Sequence, residues 1–119
     1  MVIEHCPASK ALGAIISGID LAKPLKEEIV DALKDIWAEN LVMIFRNQSL
    51  SDDDLIRFSS YFGECEKAPI GDEVLAQDIP AEITVVSNVK ENGKTIGFLG
   101  TGELTWHTDM SYIPEPADA

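Results

Sequence analysis

Two stretches of the chain repeat hydrophobic residues with the period of an α-helix. The first opens at Lys23-Pro24, where a proline suits the first turn, and Asn40 is the predicted end. Its apolar residues recur every three or four positions and share one face, namely Leu25, Ile29, Leu33, Ile36 and Trp37. This stretch is therefore predicted to be an amphipathic helix.

The second helical stretch carries a complete start signal. Ser51 is a predicted N-cap, and Asp54 stands three residues later, as in a capping box. Leu50 and Leu55 occupy the two positions of a hydrophobic staple around that cap. Gly63 is the predicted stop. The apolar face predicted for this helix comprises Leu55, Phe58 and Phe62.

Other stretches favour strands. Leu41–Arg46 is a continuous apolar run, which predicts a strand covered on both faces. Asn92-Gly93 predicts a tight turn, and the glycines of Gly97–Glu103 predict a loop. The remaining predicted strands are Ala11–Asp20, with a bend near Gly18, then Ile83–Ser87 and Leu104–Tyr112.

The charge and the cysteines exclude some classes of partner. Twenty-one acidic residues against nine basic ones give a net charge of −12, which disfavours nucleic acid and anionic membranes. The two cysteines, Cys6 and Cys65, form no CxxC pair, so we expect a reduced, cytoplasmic setting. Each is predicted to be a small buried hydrophobe.

The predicted strand Leu104–Tyr112 carries the candidate chemistry. Alternation places His107 and Asp109 side by side on a polar face, while Trp106 and Tyr112 share the opposite, apolar face. An imidazole and a carboxylate presented together suit a divalent metal, and with a second histidine they form a facial triad. Taken alone, the tripeptide favours an edge strand with a polar outer face over a metal site, because short motifs recur by chance.

Four stretches in a fixed order resemble the taurine dioxygenase/TfdA-type family of Fe(II)- and 2-oxoglutarate-dependent dioxygenases. They span nearly the whole chain and read GAIISGIDLAKPL, LVMIFRNQSLS, FSSYFGE and WHTDMSY. The resemblance implies an α+β fold, a double-stranded β-helix (a clavaminate synthase-like jelly roll) with N-terminal helices packed outside it. Residues 1–119 are expected to be the N-terminal part of one such domain, truncated relative to the family.

The resemblance also implies a site. It makes His107 and Asp109 ligands of Fe(II), and it places the third ligand, a histidine, beyond residue 119. 2-Oxoglutarate and O2 are the implied cosubstrates, and Glu103 and Asn88 are expected to line the cosubstrate or substrate site. The implied reaction hydroxylates or oxidatively cleaves a small organic molecule and yields succinate and CO2. We expect the isolated 119-residue chain to be inactive.

The chain departs from the taurine-type members at three positions. Ala68 and Gly71 stand where those members place a histidine and a tyrosine, and Glu103 replaces an asparagine. We therefore expect a substrate other than taurine. The net charge of −12 leads us to expect no nucleic-acid or membrane partner, and a homo-oligomer is one state expected for the full-length protein. The alternative is a non-enzymatic jelly-roll remnant or a metal-binding or interaction module.

Overall fold

The computed structural model describes residues 3–67, 79–99 and 105–117. The chain divides into two compact units, Met1–Glu64 and Cys65–Ala119. The first contains two helices and three strands: β1 Glu4–Pro7, β2 Ala14–Ser17, α1 Glu27–Asn40, β3 Met43–Phe45 and α2 Asp52–Ser60. The described residues of the second unit contain four two-residue strands: β4 Val86–Ser87, β5 Lys90–Glu91, β6 Lys94–Thr95 and β7 Phe98–Leu99.

Strand β2 is the middle strand of the sheet in the first unit. It pairs antiparallel with β1 and parallel with β3. Parallel neighbours need a crossover connection, and α1 provides it. The chain bends at both ends of β2, where Gly13 and Gly18 have φ of +95° and +75°. The predicted strand is thus confirmed in its centre and ends at the predicted bend.

The core of the first unit lies between β2 and α1. Leu33 is fully buried and clusters with Ile36 from the helix and with Ala14 and Ile16 from the strand. Leu33 and Ile36 belong to the predicted apolar face, whereas the buried Val30 was not included in it. The buried face of α1 is therefore wider than the sequence pattern predicted.

Helix α1 begins three residues after Pro24, at Glu27. The Leu25 N–H donates to the Tyr61 hydroxyl at 3.0 Å, and Lys26 is extended, so the chain enters the helix only after these residues. The end at Asn40 is as predicted. Leu41 follows in the left-handed conformation, and its N–H donates to the carbonyl of Trp37 at 2.7 Å.

The apolar run after α1 is not covered on both faces within the part of the chain that the structure describes. Leu41 and Val42 are exposed, and Met43–Phe45 are half-buried. The reason is the strand order: β3 lies at the end of the three-stranded sheet and has β2 as its one neighbour there. The prediction of a fully covered strand is wrong for these residues.

The predicted capping box at the start of α2 is confirmed. The Asp54 N–H donates to Ser51 Oγ at 3.2 Å, and the Ser51 N–H donates to the Asp54 carboxylate at 3.0 Å. The hydrogen bonds from the Ser51 hydroxyl and N–H, together with the Arg57 guanidinium, lower the pKa of Asp54 to about 2. Phe58 and Phe62 pack against the core, but Leu55 is exposed, so only part of the predicted face is buried.

The second unit contains the predicted tight turn. Asn92 and Gly93 both have positive φ, of 50° and 79°, and join β5 to β6 in an antiparallel hairpin. The strand predicted at Ile83–Ser87 is reduced to its last two residues. They pair in parallel with Phe98–Leu99, which were predicted as loop. Gly97 permits this approach, since a Cβ there would lie 2.6 Å from the Ser87 backbone nitrogen.

Two further expectations concern burial and membranes. Cys6 is exposed on β1 and Cys65 is half-buried, so the prediction of two buried cysteines is wrong. A short edge strand leaves the Cys6 side chain in solvent.

In the described ranges, no helix has both the length and the apolar character needed to cross a membrane.

Removing the cap hydroxyl should weaken α2. We expect Ser51→Ala to lower the free energy of unfolding by about 1 kcal/mol, because the Asp54 N–H loses its partner. The exposed Ser49 provides the matched control as Ser49→Ala. Urea denaturation followed by circular dichroism measures both. Equal stability of the two variants would show that the capping box contributes nothing to the fold.

Candidate metal centre

The segment with the candidate ligands is not a strand. Residues 105–117 form turns and bends, with Met110 at φ +54° and a hydrogen bond from the Ile113 N–H to the Met110 carbonyl at 3.2 Å. A strand requires a hydrogen-bonded neighbour, and the sheets of the described residues include none for this segment. The predicted strand Leu104–Tyr112 is therefore wrong over its described residues.

The apolar face predicted for that strand is not packed either. The Trp106 side chain is fully exposed, and Tyr112 is 77% exposed. Side chains do not alternate between two faces here, because Met110 takes a left-handed conformation and the chain turns within the predicted strand.

His107 and Asp109 nevertheless lie together. His107 Nε2 is 3.0 Å from Asp109 Oδ1. The other ring nitrogen, Nδ1, is 2.6 Å from the carbonyl oxygen of Thr105. The side chains are open to solvent, with exposed fractions of 52% for His107 and 88% for Asp109. Both neighbours of the ring are thus two residues away in sequence, one on each side.

These neighbours change the acidity of the imidazole. The hydrogen bond to the Thr105 carbonyl raises the pKa of His107 above its ordinary value, and the Asp109 carboxylate raises it further. A partial loss of solvation opposes the change but does not reverse it. A metal that binds His107 must therefore compete with a proton that is held more firmly than usual.

The pair is compatible with two ligands at right angles on one metal ion. For ligands at about 2.1 Å from an octahedral divalent cation, adjacent positions are about 3.0 Å apart. The observed Nε2–Oδ1 separation is 3.0 Å. The same separation fits a hydrogen bond from a protonated imidazole to a carboxylate. His107 Nε2 and Asp109 Oδ1 are therefore suitably placed to bind one metal ion. Without the metal, a proton between them accounts for the same distance.

Of the other predicted site residues, only Asn88 lies within the described part of the chain. Asn88 is exposed and lies between β4 and β5, and its role beside the substrate stays a prediction. Glu103, Ala68 and Gly71 lie outside the described residues. Among the residues that are described, no group of three or more His, Cys, Asp and Glu side chains is arranged to hold a metal ion.

One contact at the site was missed by the sequence reasoning, namely the Thr105 carbonyl. Every residue has such a carbonyl, so the residue type at position 105 gives no signal for it. Only the backbone path through the turn determines that it meets the imidazole.

Residues 4–119 match the family described as "Taurine catabolism dioxygenase TauD, TfdA family". The match covers nearly all of the chain. The chain belongs to this family. The predicted resemblance is thereby confirmed.

Curated relatives place the match among dioxygenases. The chain is 32% identical over 112 residues to an (S)-phenoxypropionate/alpha-ketoglutarate-dioxygenase of Delftia acidovorans, covering 94% of this chain and 38% of the relative. It is 34% identical over 116 residues to a pentalenolactone F synthase of Streptomyces avermitilis, covering 96% and 37%. The chain thus spans less than two fifths of the length of either relative.

Solved structures of similar dioxygenases superpose on part of this chain. A taurine dioxygenase from Burkholderia xenovorans superposes with a TM-score of 0.54 at 30% identity, over 57% of this chain and 25% of that one. AAD-2, solved with Mn(II) and N-oxalylglycine, superposes with a TM-score of 0.54 at 25% identity, over 55% and 26%. The chain shares the fold of the matching part of these proteins.

The two candidate ligands can be tested by metal binding. We expect His107→Ala and Asp109→Ala in the whole protein to weaken Mn(II) binding by more than about 100-fold, since loss of groups that merely orient a ligand already costs about 10–100-fold. Anaerobic titration calorimetry measures the affinity. His5→Ala is the control, because His5 is exposed on β1 and is the other histidine of this chain. Wild-type affinity in either ligand variant would remove that residue from the metal site.

Proposed function

We propose that the protein is a non-haem Fe(II)- and 2-oxoglutarate-dependent dioxygenase. It hydroxylates or oxidatively cleaves a small organic substrate and yields succinate and CO2. Family membership supports the class of reaction. The Delftia acidovorans relative is named for dependence on alpha-ketoglutarate, and AAD-2 was solved with Mn(II) and N-oxalylglycine.

The observation that carries the proposal is the pairing of His107 Nε2 with Asp109 Oδ1 at 3.0 Å. This separation suits adjacent positions on one divalent ion. The pairing depends on residues close in sequence, so the chain itself presents two of the three protein ligands of a facial triad. The third ligand is the histidine expected beyond residue 119.

The residues of this chain have simple tasks in such a site. His107 offers Nε2 and Asp109 offers Oδ1, while the Thr105 carbonyl holds the opposite edge of the imidazole. The proton shared by the pair leaves when a cation takes its place. Bound Fe(II) with 2-oxoglutarate supplies the oxidising chemistry with O2. Glu103 and Asn88 are proposed to line the cosubstrate or substrate site.

Further proposals concern the whole protein. We propose that residues 1–119 are the N-terminal part of one TauD/TfdA-like domain, a double-stranded β-helix with N-terminal helices packed outside it. The solved relatives support the fold of the part that they match. We also propose a cytoplasmic setting and a small-molecule substrate, and allow a homo-oligomer as one form of the protein. The net charge of −12 supports the absence of nucleic-acid and membrane partners.

The test is turnover of 2-oxoglutarate by the whole protein with Fe(II). We expect succinate to form in the presence of O2, and we expect His107→Ala and Asp109→Ala to abolish it while His5→Ala turns over normally. Succinate is quantified by mass spectrometry against an anaerobic blank. Wild-type succinate formation by His107→Ala would refute the assignment. A protein that binds Mn(II) but forms no succinate with any added small molecule would favour the non-enzymatic binding module instead.

We expect taurine not to be the substrate. Ala68 and Gly71 stand where the taurine-type members place their contacting side chains, and neither residue offers a polar side chain to a sulfonate. 2-Oxoglutarate consumption is measured with and without taurine, and with phenoxypropionate as a comparison, since a 32% identical relative is named for it. Strong stimulation by taurine would overturn this expectation.

A further inference from the structure

The two ring nitrogens of His107 meet different kinds of atom. Nδ1 lies 2.6 Å from the Thr105 carbonyl oxygen, and Nε2 lies 3.0 Å from Asp109 Oδ1. A carbonyl oxygen only accepts hydrogen bonds, so Nδ1 must carry a hydrogen in this arrangement. The Asp109 carboxylate also only accepts, so Nε2 carries a hydrogen too in the metal-free ring. A cation held by the carboxylate would replace the hydrogen on Nε2, whereas the hydrogen on Nδ1 would stay with the Thr105 carbonyl.

We infer that the Thr105 carbonyl is a positioning group for the metal site: it fixes His107 in the Nδ1–H tautomer and aims Nε2 beside Asp109. The inference rests on the proposed function only in taking His107 as a ligand. A histidine that binds metal through one nitrogen commonly donates its other N–H to a carboxylate or carbonyl, and this second contact fixes the tautomer and the ring orientation.

The arrangement is built into the local backbone. Thr105 is two residues before His107 and Asp109 is two residues after it, so the ring is held on both edges by the same turn. The contact with Thr105 is short and belongs to the main chain, so a change of the Thr105 side chain leaves the acceptor in place. The ring is therefore oriented before a third ligand or a cation arrives, which lowers the conformational cost of binding.

The test must weaken this one carbonyl without changing a side chain. Incorporating the α-hydroxy analogue of tryptophan at position 106 of the whole protein converts the Thr105–Trp106 amide to an ester, whose carbonyl is a poorer acceptor. The Trp106 side chain is retained and is fully exposed. The matched control is the α-hydroxy analogue of tyrosine at Tyr112, which makes the same change at the Ser111 carbonyl, four residues beyond His107.

Two measurements report on the inference. ¹⁵N spectra of the metal-free Asp109→Ala protein with labelled histidine are taken at a pH where the ring is neutral and are assigned by comparison with His107→Ala. They should show the Nδ1–H tautomer for His107, because the Asp109 carboxylate no longer attracts the hydrogen to Nε2. The ester at position 106 in the same background should raise the population of the Nε2–H tautomer. Anaerobic calorimetry with Mn(II) should show about tenfold weaker binding for the same variant, and wild-type affinity for the ester at Tyr112.

Each other result contradicts a specific claim. An Nε2–H tautomer in the Asp109→Ala protein, or wild-type Mn(II) affinity in the ester variant at position 106, would overturn the role of Thr105. Equal weakening by the ester at Tyr112 would overturn it too, because the effect would then come from the turn as a whole. Wild-type affinity in His107→Ala would instead overturn the proposed metal site, so the two failures can be told apart.

Discussion

The first unit depends on the burial of Leu33 against β2. Leu33 is fully buried and clusters with Ala14 and Ile16 of the strand. A buried leucine stabilises a fold by about 1.5–3 kcal/mol, and this one packs α1 against the sheet. The crossover helix then returns the chain so that β3 lies parallel to β2. Strand β1 joins the other edge of β2 through its own antiparallel pairing.

Side-chain hydrogen bonds stabilise the loop between β2 and α1 in the first unit. The loop between β2 and α1 contains backbone groups that helix and sheet leave without partners, and α2 and the segment before it supply them. The Leu21 N–H donates to Gln48 Oε1 at 2.9 Å, and Arg57 Nη2 donates to the Leu21 carbonyl at 3.1 Å. These bonds join residues 27 and 36 positions apart. The first unit is therefore held by contacts between distant parts of the sequence, unlike the metal centre.

That contrast explains which predictions from the sequence were right. The capping box at Ser51 and Asp54 and the Asn92-Gly93 turn are local, since each requires a few adjacent residues in one conformation, and both were predicted. Whether Leu41–Phe45 is covered, or whether Leu104–Tyr112 forms a strand, depends on neighbours that the pattern of one segment does not specify. The exposed Trp106 illustrates the difference, because it was placed on the apolar face of a strand that does not form.

His107 and Asp109 lie together as predicted, but the reason given for that prediction does not hold. Alternation on a strand was the argument for placing His107 beside Asp109, yet the segment is a turn in which the two side chains meet at 3.0 Å. A spacing of two residues keeps side chains within reach in both conformations, so the spacing predicts proximity without predicting the backbone. It does not predict which ring nitrogen faces the carboxylate. That choice is made by the Thr105 carbonyl on the far edge of the ring, because a nitrogen that donates to a carbonyl cannot at the same time bind a cation.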